Sequence, residues 1–180
     1  MSYRPLTDVM ILARTKHGYY GGYPAGFLHR GRELLGVCID DPVLHVCSGR
    51  VKDYPYPGFG PNDKTVDINP AVKPSYVMDV RHALPGRRGS WRAMMVDTPY
   101  SSAEAEHYGT AAQYPEPGPL LKLCLEHTRP GGRVGFLHWE WPRPPAQVDG
   151  CTIKEIFVGL VTTGRGCRAR HYVVFEKVKP

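Results

Sequence analysis

Along the chain, short apolar runs alternate with polar stretches rich in proline and glycine. Residues 1–24 form an aromatic, glycine-rich segment whose longest apolar run is Val9 to Ala13. Residues 25–36, AGFLHRGRELLG, place Phe27, Leu28, Leu34 and Leu35 near one helical face, with Gly36 as a stop, and predict a helix. VLHVC (43–47), closed by Ser48-Gly49, has the pattern of a buried strand. The stretch 50–63, with three prolines and two glycines, predicts a loop. KTVDINP (64–70), SYVMDV (75–80) and WRAMMVD (91–97) predict three further strands. A short helix over 101–112 and a stronger one over 116–128 follow. Leu120, Leu121, Cys124 and Leu125 form the apolar stripe of the second, and Arg129-Pro130-Gly131-Gly132 ends it. RVGFLHWEW (133–141) predicts a fifth strand, and 142–150 is a proline-rich loop. IKEIFVGLVTT (153–163) and RARHYVVFEKV (168–178), joined by Gly164-Arg165-Gly166, predict a closing antiparallel hairpin.

Strands alternating with helices, then a hairpin, imply an α/β domain with a mostly parallel sheet and a C-terminal antiparallel hairpin. Such sheets bind ligands at the carboxyl ends of their strands. Here those ends read Ser48-Gly49, Asp67-Ile68-Asn69, Asp79 and Asp97-Thr98-Pro99-Tyr100. Small and acidic residues thus share one rim, where a nucleoside-bearing cofactor would sit.

Asp97-Thr98-Pro99-Tyr100 after an apolar strand resembles the D/N/S-P-P-Y/F/W motif of the amino-group methyltransferases that use S-adenosylmethionine. VLHVCSG resembles their first strand and glycine turn, VDINP the second strand with its ribose-binding acid, and YVMDV the third strand with an acid near the adenine. LLKLCLEHTRPGGRVGFLHW resembles the helix, Pro-Gly-Gly turn and fifth strand of that fold. GYPAGFLHRGRELL resembles the segment before the glycine turn in many DNA amino-methyltransferases. The resemblance spans roughly residues 20–178 and implies a Rossmann-like methyltransferase fold. It implies S-adenosylmethionine as cofactor and an exocyclic amino group, adenine in DNA or RNA, as acceptor. The implied cofactor-binding residues are Tyr23, Pro24, Cys47, Ser48, Gly49, Asp67, Ile68, Asp79 and Val80. The implied catalytic residues are Asp97, Pro99 and Tyr100, with Thr98, Tyr19, Tyr20 and His138 on the substrate side. Thr98 stands at the first proline of the motif, one glycine stands where two or three are usual, and His45 stands where an acid is common.

The residue types suit that chemistry. A carboxylate such as Asp67 can accept from two ribose hydroxyls, and one such as Asp79 from an adenine amino group. Gly49 permits close backbone approach. An exocyclic amine is a weak nucleophile because its lone pair is delocalised into the ring. Asp97 can accept its hydrogens and localise that pair, while Tyr100 stacks on a flipped-out base. Methyl transfer needs in-line positioning more than acid–base chemistry.

Composition narrows the setting. At 180 residues the chain supports one domain, 1–180, with a sizeable core. Little length is left for target recognition, which would fall to a separate subunit. Gly 20 and Pro 18 make up about 21% of the residues, against roughly 12% on average, so loops are generous. Five cysteines without CxxC spacing suggest neither disulfides nor a metal site. A reducing, cytoplasmic setting fits them. No apolar run reaches the roughly 18 residues of a membrane span. The formal charge of +6 permits a nucleic-acid partner. So do Arg81, Arg87, Arg88 and Arg92, and Arg165, Arg168 and Arg170, although such clusters are more often solvated surface.

Plainer readings stand beside these. Asp97 and Asp67 could be helix caps, His138 a satisfied core histidine, and the N-terminal tyrosines a packing arm. Two other functions also remain open. One is a small-molecule methyltransferase with those aromatics as a lid, and the other is a methyltransferase-like domain that binds without catalysis.

Overall fold

The computed structural model describes residues 4–14, 22–108, 114–164 and 168–179. Its strands are β1 (Leu6–Ile11), β2 (Leu44–Val46), β3 (Lys64–Asp67), β4 (Tyr76–Val77), β5 (Trp91–Asp97), β6 (Thr128–His138), β7 (Gln147–Val148), β8 (Cys151–Thr162) and β9 (Arg170–Val178). Its helices are α1 (Phe27–Leu35), α2 (Ser102–His107) and α3 (Pro117–His127). One sheet runs β1-β8-β9-β6-β5-β2-β3-β4, with β7 against β8. β2 to β6 pair in parallel, and β9 runs antiparallel to both β6 and β8. The mostly parallel sheet with a closing hairpin is the architecture the pattern predicts.

The apolar run of β5 is buried on both faces because successive side chains point opposite ways. Met94 and Val96 join Leu120, Leu121, Cys124 and Leu125 of α3 on one face. Ala93 and Met95 join Phe27, Leu28 and Leu35 of α1 on the other. α1 sits close because Gly31 has no side chain, and a Cβ there would come within 2.6 Å of the Met95 Cε. Gly36 ends α1 in the left-handed region at φ 67°, with its N–H on the Glu33 carbonyl at 3.0 Å.

Several elements differ from expectation, among them β7, a two-residue strand inside the 142–150 stretch read as loop, and β6, which ends at His138 rather than 141. β1 lies inside the segment read as an aromatic arm and pairs with β8 in parallel, from Leu6 with Phe157 to Ile11 with Thr162. Only Met10 of its six residues is buried, so no periodic signal marks it. Asp8 Oδ1 accepts the Val9 N–H at 2.8 Å, which satisfies one main-chain donor of this edge strand locally. The strand read over 75–80 shrinks to Tyr76–Val77, because Asp79 bonds the Arg81 N–H at 3.0 Å and turns the chain. The 129–132 turn interrupts β6 rather than preceding it: Trp91 pairs with Thr128, and Ala93 pairs next with Arg133.

The proline-rich stretch after β2 holds one 3-10 turn, Val51–Asp53, and is otherwise loop. A buried ion network fixes it. Arg32 of α1 pairs with Asp63, the residue before β3, and donates to the Gly58 carbonyl at 2.6 Å. Asp63 also accepts from the Gly60 N–H at 2.8 Å and the Val43 N–H at 3.0 Å, and lies 3.0 Å from His45 Nε2. His45 is therefore a structural partner of Asp63 at the β2–β3 seam. No helix among the described residues is long and apolar enough to cross a membrane.

Candidate active site

From β2 the sheet continues to β3 on one side and to β5 on the other. The carboxyl ends of β2 and β5 therefore flank a switch point, where open α/β sheets place their ligands. After β2, Cys47 and Gly49 both take positive φ, 55° and 48°, and turn the chain back over the sheet. The Gly49 N–H donates to Asp67 Oδ2 at 2.8 Å, and the Asn69 N–H donates to Asp67 Oδ1 at 2.9 Å. Each oxygen of Asp67 keeps a further lone pair for a ligand hydroxyl. A Cβ on Gly49 would meet nothing within 4 Å, so the space over the turn is open. Ile68 is 37% exposed and offers an apolar surface beside that carboxylate.

Cys47 lies among Asp67, Asp97 and Asp79. Burial, with Asp67 adding to it, holds its thiol well above the ordinary range, so it is not a ready thiolate. Asp79 is engaged by its own neighbour: Arg81 Nη2 donates to Oδ2 at 2.6 Å and Nε to Oδ1 at 3.0 Å, and this holds the carboxyl below its usual range. Val80, beside it, is buried.

Across the switch point, Asp97 ends β5 half-buried. Tyr100 Oη donates to Asp97 Oδ1 at 3.0 Å and accepts from Arg170 Nη1 at 2.9 Å. Asp97 Oδ2 has no hydrogen bond among the described residues. Desolvation pushes the Asp97 carboxyl up to about 6, with Glu104 adding and Arg170 and Tyr100 opposing. The Tyr100 ring is wedged, edge-on to His138 (5.1 Å between centroids, 79°) and tilted on Trp139 (5.4 Å, 36°). The Arg168 guanidinium lies 4.8 Å from the Trp139 ring centre. His138 is fully buried. Its Nδ1 accepts the Glu140 N–H at 2.9 Å, and burial pushes the ring towards its neutral form against the opposing pull of Glu140 and the Pro99 carbonyl.

Tyr23 and Pro24 reach the same rim ahead of α1. The Tyr23 ring stacks on Phe27 at 5.1 Å and 12°. Its hydroxyl is held well above its ordinary pKa by burial and next by the Asp97 charge. The Pro24 carbonyl accepts from Tyr54 Oη at 2.6 Å, which anchors this turn to the loop after β2. Tyr19 and Tyr20 lie outside the described residues. Pro99 is half-buried between Thr98 and Tyr100.

Among the described residues four buried hydroxyls have no hydrogen-bond partner, and three of them, Tyr23 Oη, Ser48 Oγ and Thr98 Oγ1, belong to this rim. Buried polar atoms are seldom left so. Together with the open turn at Gly49 they fit a ligand carrying hydroxyl and amino groups.

Sequence reasoning missed Tyr54, and it read Arg170 as solvated surface or a phosphate contact, whereas Arg170 bonds Tyr100 within the protein. For the place of Arg170 a signal was at hand in the predicted hairpin. An antiparallel strand beside β6 must begin at the rim where β6 ends, and His138 pairs with His171. Most of the 81–92 arginines are tied to acids: Arg81 to Asp79, Arg88 to Glu126 at 2.9 Å and Arg92 to Asp41 at 3.1 Å.

No known protein-family description matches this chain, and no curated protein does. Solved structures share its fold. TrmN from Thermus thermophilus matches with a TM-score of 0.58 at 16% identity, over 88% of this chain and 50% of that one. A Burkholderia thailandensis 1,6-didemethyltoxoflavin-N1-methyltransferase, solved with 1,6-didemethyltoxoflavin and S-adenosylhomocysteine bound, matches with a TM-score of 0.52 at 13% identity. It covers 84% of this chain and 78% of that one. This chain spans half the length of TrmN. It has the Rossmann-like fold of S-adenosylmethionine-dependent methyltransferases.

Proposed function

We propose that this chain is an S-adenosylmethionine-dependent methyltransferase that acts on an exocyclic amino group, adenine in DNA or RNA being the leading acceptor. One observation carries the reading. Asp97, at the carboxyl end of β5, has one oxygen held by Tyr100 and the other without a hydrogen bond among the described residues, across the switch point from the Gly49–Asp67 turn.

When bound, the cofactor supplies an electrophilic methyl group on a sulfonium. Asp67 would take the ribose hydroxyls and Ile68 the flat face of the base. The backbone at Cys47, Ser48 and Gly49 would take the methionine end, with Tyr23 and Pro24 on its far side. Asp79 would reach an adenine amino group only by sharing with Arg81. Asp97 Oδ2 would accept an N–H of the acceptor, hold its lone pair in line with the methyl carbon and relieve the nitrogen of its proton. A carboxyl near 6 is ionised at neutral pH yet basic enough for that step. Thr98 and His138 would line the acceptor side.

A small-molecule acceptor is the second reading. The Burkholderia protein, 78% of which this chain covers, is solved with 1,6-didemethyltoxoflavin bound. The pairing of the 81–92 arginines also leaves less free charge for phosphates.

Calorimetry with S-adenosylmethionine tests the fold-level claim, and transfer of labelled methyl to mixed DNA, mixed RNA and a metabolite extract sorts the acceptor. Label in the metabolite fraction alone would favour the second reading. Binding without transfer to any fraction would favour a non-catalytic role.

A further inference from the structure

We propose that Arg170 is a positioning residue that acts through the Tyr100 hydroxyl to hold Asp97 with one carboxylate oxygen engaged and the other open to the acceptor. The presence of an acceptor rests on the methyltransferase reading, whereas the geometry does not.

The direction of the relay is fixed by chemistry. A guanidinium only donates, so the Tyr100 oxygen must accept from Arg170 Nη1 at 2.9 Å, and its single hydrogen is left for Asp97 Oδ1 at 3.0 Å. Linked bonds of this kind polarise one another. The hydroxyl cannot swing away, because its ring is held between His138 and Trp139. The Tyr100 main-chain N–H is also tied to Glu104 Oε2 at 3.0 Å. Arg170 itself is placed by sheet topology, since β9 begins beside the end of β6.

The charged and titratable groups facing Asp97 come from five directions. Arg170 comes from β9, Tyr100 from the turn before α2, Glu104 from the first turn of α2, Tyr23 from the segment before α1 and Cys47 from the turn after β2, while His138 abuts the Tyr100 ring. Arg170 is the cation among these groups. On this geometry the Tyr100 hydroxyl, more than its ring face, carries the residue's role.

The test is a carbon-13 NMR titration of the Asp97 carboxyl, assigned by its absence in Asp97→Asn. Wild type is compared with Arg170→Gln, Arg170→Lys and Tyr100→Phe. The midpoint should move up by about one pH unit or more in Arg170→Gln. It should stay near wild type in Arg170→Lys and rise in Tyr100→Phe, which keeps the charge but loses the bond. An unchanged midpoint in a folded Arg170→Gln and in Tyr100→Phe would overturn the proposal. Should Arg170→Gln not fold, Tyr100→Phe, which removes one oxygen, decides alone. Calorimetry with S-adenosylmethionine on the same proteins separates the two claims. Wild type that does not bind would sink the methyltransferase reading and leave the titration result intact. A failed titration in protein that binds would sink only the role of Arg170.

Discussion

The main-chain N–H of Gly49 donates to Asp67 Oδ2 at 2.8 Å, so the turn after β2 and the end of β3 are fastened to one another. A carboxylate read from the sequence as a ribose ligand or a helix cap is part of the turn's own scaffold. A ligand hydroxyl at Asp67 would use the lone pairs that this bond and the Asn69 N–H leave over.

Loss of Asp67 should therefore weaken cofactor binding twice, through the ligand contact and through the turn. Asp67→Ala should lower affinity for S-adenosylmethionine by about tenfold or more, as removal of a charge-assisted bond worth roughly 1.5–3 kcal/mol implies. Calorimetry reads it directly. Gly49→Ala meets no atom within 4 Å but keeps φ at 48°. It should cost about 1–2 kcal/mol of stability through backbone strain alone, seen as a lowered melting temperature.

Asp97 makes a prediction with opposite signs for stability and activity. Its carboxyl sits near 6 rather than 3.8, so the folded state binds more protons than the unfolded chain between those values. Stability from this group is fully present below pH 3.8 and is lost as pH rises through about 6. Asp97→Asn should then melt higher than wild type at pH 7 and about equal to it at pH 4. Turnover in wild type should rise with a midpoint near 6 and be lost in Asp97→Asn, with cofactor binding nearly intact. A variant that melts lower than wild type at pH 7 would contradict the burial argument.

The Arg32–Asp63 pair lies away from the rim and should affect stability first. Arg32→Met leaves the Asp63 carboxylate buried with His45 and two main-chain N–H groups but without its guanidinium, and removal of one partner of such a pair costs about 3–5 kcal/mol. Denaturant titration should show that loss. Burial opposes ionisation of Asp63, but the bonds from His45 and Arg32 prevail and hold its carboxyl below the ordinary range. Its contribution is present above the usual carboxylate pKa and is lost as pH falls through the lowered one. Acid unfolding of wild type should be steeper in that window than that of Asp63→Asn.

Tyr23 carries a buried hydroxyl without a partner among the described residues. Tyr23→Phe removes it and should stabilise the ligand-free protein by about 1–3 kcal/mol. The variant should gain less from added S-adenosylmethionine than wild type does, if the hydroxyl is a ligand contact. Melting curves with and without the cofactor measure both effects.

The sequence was informative wherever burial on both faces imposed a continuous apolar run. WRAMMVD marks β5 to the residue, and the α1 stripe with Gly36 marks its helix within two. It was silent where a strand lies at an edge. β1 buries one residue and β4 none, so neither shows a period. Within the site, Gly49, Asp67 and Asp97 were legible because each ends a strong strand. The relay to Arg170 was not, because it joins residues 70 positions apart, through a tyrosine that looked like a stacking platform. The ion pair that occupies Asp79 was equally hidden, since no spacing rule distinguishes a free acid from one folded onto its own neighbour.

The pairing of Leu6 with Phe157 has a consequence for how the protein is made. β1 leaves the ribosome before every other strand of this sheet, yet its partner is nearly the last to emerge. Until β8 appears, the main chain of β1 has no strand to pair with and Met10 no core to enter. Ala13, just beyond β1, accepts the Ala25 N–H at 2.9 Å and so tethers the turn that carries Tyr23 and Pro24. Arg170 comes from the strand after β8. Both walls of the rim thus wait on the final third of the chain, and a nascent polypeptide halted before Cys151 would carry Asp67 and Asp97 without a finished site around them.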